Sequence, residues 1–205
     1  MEYRVSYGKD RGFNLGPIGF LLIINILLWV ATSIKPGLFI SLFGLSQITF
    51  PEHWWAIATS MFIHDPFPSI WHILANMFTL YFFGSYLTRL VRDKNFLIVY
   101  FIGGIIGGIA YLLLSEPFTI AIGASGAVFS VAGALTVLRP KLKVFIIPIP
   151  IPIPLWVAVI GGFGLLSIPL FSSGVAWQAH LGGLAFGLIM GYFFRRRQRR
   201  ILFDF

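Results

Sequence analysis

Six apolar segments make up most of this chain and limit it to a membrane fold. A helix needs about 20 mostly apolar residues to cross a bilayer. Only 11% of the 205 residues are charged, too few to cover a soluble domain of this size. The sequence therefore predicts an all-α bundle of six membrane-spanning helices. The segments are residues 17–34, 71–88, 96–114, 124–138, 153–170 and 176–194.

Basic residues give this bundle an orientation. Of the 15 lysines and arginines, Lys35 alone falls on one side of the six-segment layout. Cytoplasmic loops are enriched in lysine and arginine, so both termini are expected in the cytoplasm. The predicted parts are a cytoplasmic segment at 1–16, a membrane domain at 17–194 and a basic tail at 195–205. We expect a multi-pass protein of a prokaryotic plasma membrane, and the active site described below is expected to open to the extracellular side.

The net charge of +8 does not indicate a nucleic-acid partner. Five arginines follow directly after the last apolar segment, and such a run is typical of attraction to anionic lipid headgroups. Membrane lipids are therefore expected partners, whereas the oligomeric state stays open. The chain has no cysteine, which excludes a disulfide, a thiolate nucleophile and a cysteine metal site.

Four polar residues are expected at one depth inside the bundle. His72 and Asn76 lie near the outer end of the second span, Ser125 at the start of the fourth, and His180 one turn into the sixth. Separately, Ser125 and Asn76 are more typical of helix packing, and His180 of a hydrogen-bond partner, metal ligand or proton relay. Their convergence favours a shared site in which a histidine activates a serine.

Small residues allow the fourth and sixth segments to approach each other. Gly183 and Gly187 lie on the sixth, and Gly126, Ser130 and Ala134 form a face of the fourth. Because small residues at intervals of four let membrane helices pack closely, these two segments are expected to touch.

Three motifs resemble those of the rhomboid family of intramembrane serine proteases, in the order in which that family carries them. They are HILAN at 72–76, GASG at 123–126 and AHLGG at 179–183, and the six-segment layout covers nearly the whole chain. The resemblance implies that Ser125 is the nucleophile and His180 its general base. Because the spans contain no Asp or Glu, the pair is expected to act as a dyad.

The resemblance also implies the groups that surround the dyad. Asn76, His72 and the backbone amide of Ser125 are expected to stabilise the oxyanion. Gly123 and Gly126 are expected to form the active-site turn. No cofactor and no metal are expected.

Two positions depart from the family pattern. Many members have a Trp-Arg pair in the first outer loop, whereas Trp55 is followed here by Ala56. The base often stacks on a tyrosine, and this chain has Phe129 there, which keeps the aromatic ring face. Neither change removes Ser125 or His180, so we expect an active protease of the smallest, six-span prokaryotic form.

The expected reaction is hydrolysis of a peptide bond in or next to the transmembrane helix of a single-span substrate, near the outer membrane face. A helix shields its own peptide bonds, so segments with helix-weakening residues are the expected substrates. The fifth span, which includes Phe163, and the outer loop at 171–175 are expected to form a gate.

Three alternatives stay open on the sequence alone. Buried histidines and glycine-rich spans also occur in channels and transporters, but no buried carboxylate and no internal repeat is present here. A non-catalytic adaptor would bind client helices without cutting them, and loss of the serine or the histidine would indicate that class. A metal enzyme would use His72 and His180, with His53 and His64 of the first outer loop. His53 and His64 are more simply expected at the wet interface.

Overall fold

The computed structural model describes residues 16–67, 70–145, 151–166 and 175–203, with side chains described up to residue 198. Most of the predicted segment at 1–16 and of the predicted gate loop at 171–175 lies outside these ranges. The helices are α1 (Gly16–Ile34), α2 (Pro36–Phe43), α3 (Ala56–Thr59), α4 (Trp71–Thr79), α5 (Ser85–Leu114), α6 (Ser125–Leu138), α7 (Leu155–Leu166) and α8 (Trp177–Phe203). A 3₁₀ turn at Ser60–Phe62 follows α3, and a π-helical turn at Leu80–Gly84 joins α4 to α5.

The outer surface of the helices is apolar, as a membrane fold requires. Among the described residues, two helical stretches are long and apolar enough to cross a bilayer, Gly16–Ile34 and Trp71–Leu114. On α1, Phe20, Leu27 and Ile34 are exposed, while the polar Asn25 is fully buried. This pattern is the reverse of a soluble helix and fits contact with lipid tails.

The second and third apolar segments are joined without a loop, which differs from the prediction. The residues on both sides of Arg92 are helical, but Arg92 itself, with a φ of 69° and a ψ of 162°, interrupts the helix. A straight helix would place residues 84 and 96 about 18 Å apart. Instead Phe96 packs within about 3.2 Å of the position that a side chain at Gly84 would occupy. The chain therefore turns back on itself at Arg92.

Helix α6 is the centre of the bundle, because nearly all of its residues are buried. A side chain at Gly183 would meet the carbonyl of Gly126, and one at Gly187 would meet the carbonyl of Ser130. The next small residue of α8, Gly191, faces Ala134 in the same way. The predicted close packing of these segments is therefore present, and it extends one turn further than predicted.

The same contacts give the relative directions of the helices. Positions 183, 187 and 191 of α8 follow positions 126, 130 and 134 of α6 in the same order, so α6 and α8 are parallel. Helix α5 is antiparallel to both, since Gly107 meets Ala179 while Gly103 meets Phe186. The Ser130 hydroxyl donates to the Val99 carbonyl at 2.8 Å and fixes α5 against α6. Parallel packing puts the first turns of α6 and α8 at one level.

Two predicted segment ends differ from the structure. Ile153 and Pro154 form a strand, β2 (Ile153–Pro154), which pairs antiparallel with β1 (Lys143–Val144) before α7 begins. Proline fixes φ and suits the residue just before a helix, which explains the later start. At the other end, α8 continues through the arginine run to Phe203.

The connection between α1 and α4, which is the first outer connection of the predicted topology, folds onto the beginning of α6. Leu45 and Ala121 exchange backbone hydrogen bonds at 2.9 and 2.8 Å, and the Trp55 indole N–H donates to the Leu42 carbonyl at 2.8 Å. Ala56 is fully buried in an apolar cluster with Leu45, Ala121 and Tyr111. Small apolar packing therefore occupies the position at which many family members carry an arginine.

We expect Gly187→Ala to destabilise the fold, because its methyl group would press on the backbone of α6 at Ser130. Overpacking of this kind costs about 1–3 kcal/mol. Gly161→Ala on α7 is the matched control, since nothing in the described part of the chain lies within 4 Å of its added carbon. Thermal unfolding in detergent should show a lower midpoint for Gly187→Ala alone. Equal midpoints for the two variants would contradict this account of the packing.

Candidate active site

A glycine turn leads into the first residue of α6, Ser125. Gly123 has a φ of +110°, a region that side chains other than hydrogen rarely allow. A carbon added at Gly123 would lie 2.5 Å from Nε2 of His72. Both the backbone conformation and the neighbouring imidazole therefore require glycine at this position.

Hydrogen bonds from the first outer connection fix this turn. The N–H of Gly123 donates to the Ser60 carbonyl at 2.9 Å, and the N–H of Ala124 donates to Nε2 of His64 at 3.3 Å. The following N–H groups belong to the first turn of α6, where amides have no acceptor within their own helix. This turn therefore presents N–H donors and the positive end of the helix dipole beside the serine.

Ser125 and His180 are in direct contact across the α6–α8 interface. The serine Oγ lies 2.7 Å from Nε2 of His180, a strong hydrogen-bond distance. His180 is buried, and its Nδ1 has no hydrogen-bond partner in the described part of the chain. For Nε2 to accept the serine proton, the neutral ring must carry its own proton on Nδ1. The geometry fits a two-residue nucleophile and base.

Phe129 supports the imidazole of His180. It lies one turn after Ser125, and its ring stacks on the His180 ring with centroids 4.6 Å apart and planes 24° apart. Phe163 of α7 meets the edge of Phe129 at 6.3 Å. The stacking that the family resemblance implies is therefore present, and the Phe129–Phe163 contact connects it to α7.

His72 and Asn76 lie on α4 beside the same turn. Nε2 of His72 faces Gly123, and the Asn76 amide donates to the His72 carbonyl at 2.9 Å within its own helix. Asn76 is buried, and an amide group has a second N–H. That second N–H makes no hydrogen bond among the described residues, so it is available to donate to a bound group.

A small cavity of about 30 Å³ adjoins Ser125. This volume is enough for one water molecule. Small residues of α5, α6 and α8 form one part of its wall, and Leu45, Met61 and residues 121–123 form another, with Ser60 and Ser125 as polar groups.

His64 is buried in the protein, so its predicted place at the wet interface was wrong. None of its surface is exposed, and its ring centroid lies 5.0 Å from that of His72. The preceding Met61 and Ile63 are buried too, and this apolar run was a signal that the residue lies inside. The contact with Ala124 joins residues 60 positions apart, which local patterns cannot indicate. His53 remains partly exposed and stacks on Trp55.

Burial lowers the pKa of His64 from 6.5 to about 3, with a further contribution from the nearby His72 and an opposing one from the Phe62 carbonyl. His64 is therefore neutral at ordinary pH, and its Nε2 lone pair can accept the Ala124 proton. The metal alternative gains no support from this histidine pair. In the described ranges, no three histidine, aspartate or glutamate side chains meet as possible ligands.

The family profile described as "Rhomboid domain" matches residues 51–197, a range that contains every site residue described above. The chain belongs to the rhomboid family of intramembrane serine proteases. It is 31% identical over 163 residues to "Rhomboid protein 1, mitochondrial" of Saccharomyces cerevisiae, covering 71% of this chain and 45% of that protein.

Two bacterial rhomboid relatives, both from Bacillus subtilis, are named as proteases. The "Putative rhomboid protease YdcA" is 24% identical over 190 residues, covering 89% of this chain and 90% of the relative. "Rhomboid protease GluP" is 33% identical over 135 residues, covering 65% of this chain and 25% of the relative. The chain thus spans less than half of the yeast protein and of GluP, but most of YdcA.

The buried His64 makes stability depend on pH. Below about pH 6.5 the unfolded chain protonates this residue while the folded rhomboid does not, so the free energy of unfolding falls as pH falls toward 3. His64 alone should remove about 2 kcal/mol at pH 5. Thermal unfolding at pH 7 and pH 5 should show that lowering the pH reduces the stability of His64→Gln less than that of wild type. The neighbouring His72 and Asp65 are present in both proteins, so identical losses would contradict the assignment of this effect to His64.

Proposed function

We propose that this rhomboid is a serine endopeptidase that hydrolyses a peptide bond in or next to the transmembrane helix of another protein. The observation that carries the proposal is the 2.7 Å contact between Ser125 Oγ and His180 Nε2 in the first turns of α6 and α8. A serine hydroxyl is a weak nucleophile until a neighbouring base accepts its proton, and this contact supplies that base.

In the first half of the reaction, Ser125 Oγ attacks the carbonyl carbon of the substrate while its proton moves to Nε2 of His180. The resulting tetrahedral intermediate carries a negative oxygen. His180 then gives the proton to the departing amine nitrogen as the peptide bond breaks, and an acyl-serine remains. The stacked Phe129 keeps the His180 ring in the orientation that both transfers require.

The negative oxygen is stabilised by donors that surround the glycine turn. We assign this role to the backbone N–H of Ser125, the free amide N–H of Asn76 and the imidazole of His72. One such donor is worth about 3 kcal/mol in serine hydrolases. The positive φ of Gly123 and its lack of a side chain keep His72 next to the turn.

In the second half of the reaction, water releases the acyl group. His180 accepts a proton from a water molecule as that water attacks the acyl carbon, and it returns the proton to Ser125 as the ester bond breaks. The cavity beside Ser125 offers a place for one water in an otherwise apolar bundle.

We further propose a topology of six spans with both termini in the cytoplasm and the site near the outer face of the plasma membrane. The bias of basic residues supports it. Single-span membrane proteins are the proposed substrates, and the arginine run on α8 would hold the inner end of the bundle at anionic lipids.

Cleavage of a single-span substrate should be lost in Ser125→Ala and in His180→Ala. Removal of a nucleophile or base from a serine hydrolase lowers turnover by at least about 10³-fold. Ser41→Ala is the matched control, because this exposed serine donates only within its own helix. Purified proteins reconstituted with substrate are compared by mass spectrometry of the products. Cleavage by all four proteins would show a contaminant, and none by wild type would favour a client-binding adaptor.

Phe163→Ala on α7 should speed cleavage if this helix gates substrate entry. The aromatic contact with Phe129 is worth about 0.5–1.5 kcal/mol, so opening should become about twofold to tenfold more favourable. Val159→Ala removes another buried contact of α7, whereas Ile160→Ala changes a largely exposed side chain and is the control. Initial rates against one substrate measure the effect. Unchanged or slower cleavage in both the Phe163 and Val159 variants would count against the gate.

A further inference from the structure

The two N–H groups just before Ser125 are both held by one short stretch of the first outer connection. The Ser60 carbonyl accepts from Gly123 at 2.9 Å, and Nε2 of His64 accepts from Ala124 at 3.3 Å. His64 is the side chain in this arrangement and is completely buried. The proposed nucleophile thus begins its helix from a turn that a distant segment fixes.

The peptide between Gly123 and Ala124 needs such a restraint. Glycine populates a wide range of backbone conformations, so this peptide plane can rotate at little cost unless its groups are hydrogen-bonded. Rotation would break the Ala124 contact with His64 and move the start of α6. Displacement of a reacting group by about 1 Å is enough to cost about 100-fold in rate.

We propose that His64 is a positioning residue of this protease, whose Nε2 fixes the Gly123–Ala124 peptide and so holds Ser125 where His180 can accept its proton. The inference depends on the proposed function, because the placement of Ser125 affects turnover only if Ser125 is the nucleophile. His64 acts through the turn and takes no part in the chemistry.

The surroundings of His64 keep its Nε2 available as a hydrogen-bond acceptor. Burial keeps the ring neutral, so Nε2 stays unprotonated at ordinary pH and can accept the Ala124 hydrogen bond. The titratable groups that influence this corner are His72, whose ring packs against His64, and Asp65, which acts on His72. His72 in turn faces Gly123, so the two histidines hold the turn from adjacent positions.

The test compares His64→Gln with His64→Asn. The two side chains carry the same amide, but only the glutamine oxygen reaches about as far from the backbone as Nε2 does. We expect His64→Gln to retain most of the wild-type kcat, and His64→Asn to lose between about 10-fold and 100-fold in kcat with little change in KM. His53→Gln and His53→Asn are the matched controls in the same connection and should not differ from each other.

Thermal unfolding separates positioning from loss of fold. A lower kcat for His64→Asn than for His64→Gln, at equal unfolding midpoints, supports the role in positioning. Equal kcat for the two variants at equal midpoints overturns it, because a residue that merely fills space would not distinguish the reach of the acceptor.

Amide hydrogen exchange in the turn at residues 121–127 tests the same contact without any cleavage. The Ala124 amide should be protected in wild type and in His64→Gln, and should exchange faster in His64→Asn. Protection that does not depend on residue 64 overturns the inference even in an active protease. If wild type does not cleave substrate but residue 64 still controls the protection of the Ala124 amide, the result instead contradicts the proposed function.

Discussion

The rest of the site depends on one interaction, the close packing of α6 against α8. Glycines of α8 at 183, 187 and 191 lie against the backbone of α6 at positions 126, 130 and 134, where a side chain would not fit. Small residues let membrane helices approach through their backbones, in an environment where the hydrophobic effect offers no drive for association. Because the two helices are parallel, this contact brings their first turns together. Ser125 and His180 then lie within hydrogen-bond distance.

Much of this arrangement could be predicted from the sequence. Apolar runs locate the helices, because a bilayer requires long and uninterrupted apolar segments. Small residues at intervals of four on two segments indicate which helices touch. The stacking of Phe129 on His180 was implied by the resemblance to the rhomboid family, in which the base often stacks on an aromatic ring one turn after the serine. The apolar runs and the small-residue spacing are local patterns, and the structure places the predicted residues together.

Other features depend on contacts between distant parts of the chain and could not be predicted in this way. The turn at Arg92 occurs within a basic, helix-compatible stretch that contains neither glycine nor proline. The apolar run before His64 indicates burial but not the partner, because the contact with Ala124 forms only where the first outer connection folds under the turn before α6. Position 56 shows the same effect, since the apolar cluster around Ala56 forms only when Leu45 and Ala121 pair.

The most direct test of the Ser125–His180 pair is its reaction with a fluorophosphonate, which forms a phosphorus–oxygen bond to an activated serine and releases fluoride. Intact-mass and peptide analysis of the reconstituted protein would locate the adduct. We expect a single adduct on Ser125 in wild type and none in His180→Ala. An adduct on another serine, or equal labelling of Ser125 without His180, would contradict the claim that α6–α8 packing creates the nucleophile and its base.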